Sequence, residues 1–184
     1  GNIYTSVTIG TQEWMSENLR TTKYSDGTSI PNVTGFSQWD SLNSGAWCYY
    51  NNDNQYDTIY GKLYNYYAVN TNKLCPTGWH VPTDADWTEL TDYLTADGHS
   101  SDEGTALKAT SGWVDGGYEI NGTDDYGWKG LPGGYRFTAR HAIHVSSFSS
   151  IGSFGYWWSS SESCRYLSWD RFLGHIPFLG SNAN

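Results

Sequence analysis

Charge is scarce in this chain, and so are proline, cysteine and long apolar runs. Only 16% of its residues are charged, yet it carries 10 Trp, 15 Tyr and 21 Gly. Disordered chains show the reverse balance, so the composition predicts a compact, loop-rich fold packed around aromatics. Three Cys (Cys48, Cys75, Cys164) allow at most one internal disulfide and form no CxxC pair, which excludes a disulfide scaffold and a Cys-based zinc site. No apolar run approaches the roughly 18 residues that span a bilayer, so no membrane insertion by this segment is expected. With 184 residues, no linker and no internal repeat, one domain over 1–184 is the economical expectation.

Positive charge is the scarcer sign. There are 19 acidic and 10 basic residues, net −9, which repels duplex nucleic acid and anionic membranes and argues against a nucleic-acid partner. The imbalance is local. Residues 1–129 hold 17 acidic and 6 basic residues, whereas 130–184 hold two acidic (Glu162, Asp170) and four Arg (Arg136, Arg140, Arg165, Arg171). A further absence falls in the same region: residues 137–184 contain no Lys, Gln or Met, although residues 1–136 contain nine and about three would be expected by proportion.

The pattern predicts an α+β arrangement. Val7 and Ile9 alternate with polar neighbours as in a strand, Gly10 turns the chain, and Trp14, Met15 and Leu19 suit a short amphipathic helix. Residues 24–44 read as a long ordered loop, and 46–50 as a strand. Periodicity leaves 63–69 open between helix and strand. The clearest signal is Pro82-Thr83-Asp84-Ala85-Asp86-Trp87: Thr83 is a good N-cap, Asp84 and Asp86 suit the first turn, and Trp87, Leu90 and Leu94 form one apolar face. A second short helix is expected within 102–110, and short strands and loops from 111 onward.

Several spaced motifs carry a family resemblance. Residues 10–19 (Gly-Thr-Gln-Glu-Trp-Met-Ser-Glu-Asn-Leu), 61–65 (Gly-Lys-Leu-Tyr-Asn), 74–83 (Leu-Cys-Pro-Thr-Gly-Trp-His-Val-Pro-Thr) with Trp87, 131–136 (Leu-Pro-Gly-Gly-Tyr-Arg), and Ile151-Gly152, Gly155 and Trp157-Trp158-Ser159-Ser160 resemble the Fibrobacter succinogenes major paralogous domain. The resemblance implies a C-type lectin-like fold, with two helices, small twisted antiparallel sheets and long ordered loops. It also implies a cell-surface or secreted, adhesin-like protein whose ligand face lies in the C-terminal third. Residues 79–87 are similar to the helix start of formylglycine-generating-type domains, but their active-site cysteine pair has no counterpart here, so no enzyme is expected. Where the family has a short Asn/Gly turn, this chain has an enlarged segment between Arg136 and Ile151, rich in His and apolar residues.

Some relatives are variable proteins of diversity-generating retroelements. There an AAC codon randomised at its adenines never yields Lys, Gln, Met, Glu or Trp. The Glu and Trp of 137–184 (Glu162, Trp157, Trp158, Trp169) align with fixed family positions. The resemblance thus divides the chain into a scaffold, 1–134, and a ligand-binding region, 135–184. Candidate contacts are Phe137, Arg140, His141, His144, Phe154, Tyr156, Arg165, Tyr166, Asp170, Phe172, His175, Ile176 and Phe178, an aromatic/His/Arg set suited to a protein or cell-surface ligand. Arg140, His141 and His144 are costly to bury, which favours an exposed loop.

A carbohydrate-binding surface module is the alternative reading, since Trp and Tyr can stack on sugars. No cofactor is expected and no transition-metal site is assigned. Calcium is the one ion left open, at Asn51-Asn52-Asp53-Asn54 with Asp57 or at Asp124-Asp125, although such clusters are also ordinary turns.

Overall fold

A computed structural model describes residues 2–137, 148–161, 163–168 and 172–177. Strands β1 (Ser6–Ile9) and β2 (Gln12–Met15) form an antiparallel hairpin that pairs Ser6 with Met15 and Ile9 with Gln12. Gly10 turns it at φ +62°, and a Cβ there would lie 2.7 Å from the Tyr93 ring, so only glycine fits. The helix expected after Gly10 is therefore a strand at its start. Trp14, Met15 and Leu19 satisfy helical spacing, but Ser6–Ile9 across the turn supplies a partner for each residue of β2. Pairing buries Trp14 and exposes Glu13, whose carboxylate accepts the Ser6 hydroxyl at 2.6 Å.

The predicted loop over 24–44 contains one short helix, α1 (Phe36–Asp40), which buries Trp39. Strand β3 (Trp47–Cys48) follows, then α2 (Asp57–Tyr60), β4 (Leu63–Tyr64) paired antiparallel with β3, and α3 (Tyr66–Val69). Asn65 resolves the ambiguity of 63–69. Its Oδ1 accepts the N–H of Ala46 (3.0 Å) and of Ala68 (3.1 Å), while its Nδ2 donates to the Ser44 carbonyl (2.9 Å). One side chain extends the strand pairing and caps the helix that follows it.

Helix α4 (Asp84–Ala96) starts with the expected cap. The Asp86 N–H donates to Thr83 Oγ1 (3.1 Å) and the Thr83 N–H donates to the Asp86 carboxylate (2.8 Å). Trp87, Leu90 and Leu94 are its buried residues, and α5 (Glu103–Leu107) lies within the second predicted helix. Thr83→Ala is expected to lower the unfolding free energy by about 1 kcal/mol. Urea denaturation should register this as a lower midpoint with an unchanged slope.

After the hairpin of β5 (Val114–Asp115) and β6 (Tyr118–Glu119) comes a five-stranded sheet. It comprises β7 (Gly133–Arg136), β8 (Phe148–Ile151), β9 (Gly155–Ser159), β10 (Ser163–Leu167) and β11 (Gly174–Pro177), in the order β11-β10-β9-β7-β8. Neighbours are antiparallel except β7 and β9, which meet in parallel at Gly134 and Gly155.

Side-chain alternation gives the sheet two packed faces. Trp157 and Leu167 join a core with Trp14, Trp87, Leu90 and Trp113, while Trp158 and Cys164 join another with Ile30, Trp47, Tyr64 and Val69. A third core holds Trp39, Cys48, Tyr50 and Leu63. The architecture is thus mixed α+β. The described residues form small sheets, no barrel, and three short helices (α1–α3) besides α4 and α5. No helix among them is long and apolar enough to cross a membrane.

Candidate functional site

The outer part of one sheet face is aromatic. Register places Tyr156 of β9 opposite Tyr166 of β10, and the parallel contact brings Tyr135 of β7 alongside. Ring centroids lie 5.0 Å apart for Tyr135 and Tyr156, and 6.0 Å for Tyr156 and Tyr166. Phe154 stacks on Tyr156 at 5.9 Å and lies 6.2 Å from Tyr166. Trp158 and Cys164 fill the buried end of this face, and the four outer rings are partly buried. Gly174, paired with Tyr166, keeps space open: a Cβ there would meet the Tyr166 ring at 2.1 Å. Burial, helped by neighbouring Tyr135, Cys164 and Tyr166, pushes the Tyr156 phenol far above its ordinary pKa. It therefore stays neutral and able to donate a hydrogen bond.

The predicted contact residues divide between the two sheet faces. Phe154, Tyr156 and Tyr166 come together, and Phe172 is 52% exposed. Arg165 lies on the other face, where Nη1 bonds the Asp84 carboxylate at 3.1 Å and its side chain is only 11% exposed. Ser163 donates to the same carboxylate at 2.8 Å. Burial raises the Asp84 pKa, but the bonds from Ser163 and Ser159 and the Arg165 charge outweigh it and hold the carboxyl below its usual value. Arg165 thus ties β10 to the start of α4 instead of standing among the tyrosines. His175 is exposed and pairs with Arg165 across β10 and β11, so it belongs to this polar face.

Phe137, expected on the surface, is buried at 8% exposure with its ring 6.1 Å from Tyr135. An apolar side chain at the end of β7 gains more from this contact than from water. Arg140, His141, His144, Asp170 and Phe178 lie outside the described residues, as does the side chain of Ile176, whose backbone pairs with Cys164. Tyr135 also belongs to the aromatic face, although nothing in its local sequence marks it. It sits within a scaffold motif, and only the non-local contact of β7 with β9 brings it in.

All three cysteines are free thiols, and burial pushes their pKa values up, to about 11 for Cys48 and Cys164 and about 12 for Cys75. None is a ready thiolate nucleophile. The candidate calcium ligands are engaged in turn chemistry. Asp53 accepts the Gln55 N–H (2.9 Å), Asp57 pairs with Lys62 (2.7 Å), and Asp124 accepts the Lys129 N–H (2.7 Å). Among the described residues no group of three or more His, Cys, Asp or Glu could hold a metal ion. Eight of the ten Trp are buried, Trp79 is partly buried and Trp169 lies outside the described residues.

With its fold and this face described, the chain can be placed: it belongs to the Fibrobacter succinogenes major domain family, which it matches over residues 7–182. No curated protein and no solved structure matches it.

Proposed function

We propose that this is a non-catalytic ligand-binding domain of C-type lectin-like fold, displayed at the cell surface or secreted, whose C-terminal third is diversified as in a retroelement variable protein. The observation that carries the reading is the row of Tyr135, Phe154, Tyr156 and Tyr166 on one sheet face. Tyrosine and phenylalanine rings supply contact area at low entropic cost, as in protein-binding paratopes. Exposed Phe172 adds apolar area, and exposed His175 adds a polar group at the edge strand.

Burial supports the diversification. Trp157 and Trp158, which adenine randomisation of an AAC codon cannot encode, are core residues, as a fixed framework requires, and Tyr156 beside them is only partly buried. The single-domain division, 1–134 scaffold and 135–184 binding region, belongs to the same proposal, with a protein or cell-surface ligand as partner. A carbohydrate ligand is less well supported, because the buried tryptophans are withdrawn from stacking on a sugar.

DNA sequencing around the gene tests the reading. We expect a near-copy of the codons for residues 135–184, beside a reverse transcriptase gene, differing only where the copy has adenine, with the codons of Tyr156, Tyr166 and Phe172 among the differences. A locus without such a copy removes diversification and makes the Lys/Gln/Met gap a coincidence.

A further inference from the structure

We propose that the tryptophan-lined cleft between β2 and β9 is a strand-addition site that takes an extended peptide with alternating apolar and basic side chains. The cleft has a volume of about 520 Å3, and none of Tyr135, Phe154, Tyr156 and Tyr166 lines it, although Trp158 at the buried end of their face does. It therefore stands apart from the ligand-binding reading.

The lining pattern shows what the cleft meets. Every residue from 12 to 19 contributes, as does every residue from 128 to 131, and so do both Trp157 and Trp158. Within 12–19 all four residues of β2, from both of its faces, contribute, as a strand does where its edge borders a cleft. The partner of β2 agrees with this direction: β1 holds its other edge, and no residue of β1 lines the cleft. No further strand pairs with β2 among the described residues. A strand edge facing an apolar cleft is the geometry by which an extended peptide adds to a sheet, through main-chain hydrogen bonds.

Two further observations specify the occupant. The indoles of Trp14, Trp157 and Trp158 donate to Gln12 Oε1 (3.1 Å), Asn18 Oδ1 (3.0 Å) and the Tyr64 carbonyl (2.9 Å). Trp87, also in the lining and 1% exposed, has an Nε1 with no acceptor. A buried donor left unmatched is costly, and a peptide carbonyl is the acceptor a strand would bring. The lining also carries Glu13, Glu17 and Asp86 against Lys129 and His80; Glu17 is paired with Arg20 and Asp86 with His80, so Glu13 is the carboxylate of the lining that favours a basic side chain on the peptide.

The test uses the intact chain and three fluorescein-labelled eight-residue peptides: one alternating Lys and Val, one alternating Glu and Val, and the first with its two central Val replaced by Pro. Fluorescence anisotropy should show the Lys/Val peptide binding about tenfold or more tightly than the other two. Hydrogen exchange should slow at backbone amides within 12–16 when it binds. Glu13→Lys, at an exposed position, should narrow or reverse the preference for Lys/Val over Glu/Val.

The proposal is overturned if no peptide binds, if the Pro peptide binds as well as its parent, or if binding leaves those amides unprotected. Protection that rises with protein concentration in the absence of peptide overturns it in favour of a second copy of the chain.

Discussion

Trp87→Ala is expected to lower the unfolding free energy by about 3–5 kcal/mol, a large part of the ~5–15 kcal/mol that holds a typical domain together. The side chain is 1% exposed on the inner face of α4. Its ring lies 4.8 Å from Trp14 of the N-terminal hairpin and 6.1 Å from Trp128, and Trp128 lies 4.9 Å from Trp157 of the five-stranded sheet. Removing it opens a void where hairpin, helix and sheet meet, and surrounding rings anchored by their own indole bonds collapse poorly into such a space. Urea denaturation monitored by circular dichroism would measure the loss. Trp87→Phe keeps a ring and removes the unmatched donor, so it should cost markedly less. An alanine variant within 1 kcal/mol of the parent would mean that α4 is held by other contacts.

Arg136→Ala should cost a comparable ~3–5 kcal/mol, for a different reason. Arg136 is fully buried at the end of β7. Nη1 donates to the Val33 carbonyl (2.7 Å), and Nη2 donates to the carbonyls of Thr34 (2.9 Å) and Gly35 (3.2 Å). The guanidinium lies over Trp39 at 4.3 Å and Phe148 at 5.0 Å. Truncation takes the guanidinium donor from the Val33 carbonyl, leaves Thr34 with the Asn52 amide and Gly35 with the Trp39 N–H, and empties the slot between two rings. Lysine is a poor substitute, because a compact ammonium cannot reproduce the planar fork or its stacking. Arg136→Lys should therefore recover little, and hydrogen exchange of amides near 33–35 should rise in both variants. Full recovery by lysine would show that the charge matters and the planar shape does not.

The legible parts of this fold are those whose causes are local. Thr83, Asp86 and Trp87 state the start of α4 within five residues, since the capping box is a bond between near neighbours. The stretch after Gly10 reads as a helix because three apolar residues fit a helix face, while the deciding partner is the preceding strand. Phe137 and Arg165 illustrate the same limit at the candidate site. An apolar residue in a variable-looking segment and an arginine beside a cysteine both read as surface contacts. Whether they are displayed depends on Tyr135 in one case and on Asp84, far away in sequence, in the other. The cleft beside β2 is assembled from several separate stretches, so no window of sequence could reveal it.

The pairing of Arg136 with Phe148 also sets how freely the segment joining them can change. The carbonyls of 33–35 and Trp39 hold Arg136 from within, and Phe148 packs beside it, so both ends of the eleven-residue connection, 137–147, are pinned at neighbouring points of the sheet. Once a loop's ends are fixed by contacts outside it, closing it costs entropy that grows only logarithmically with length, roughly 0.6 kcal/mol per doubling. Changes of length between 137 and 148 are consequently cheap in closure entropy, whereas Phe137, buried against Tyr135, belongs to the fixed end of the clamp.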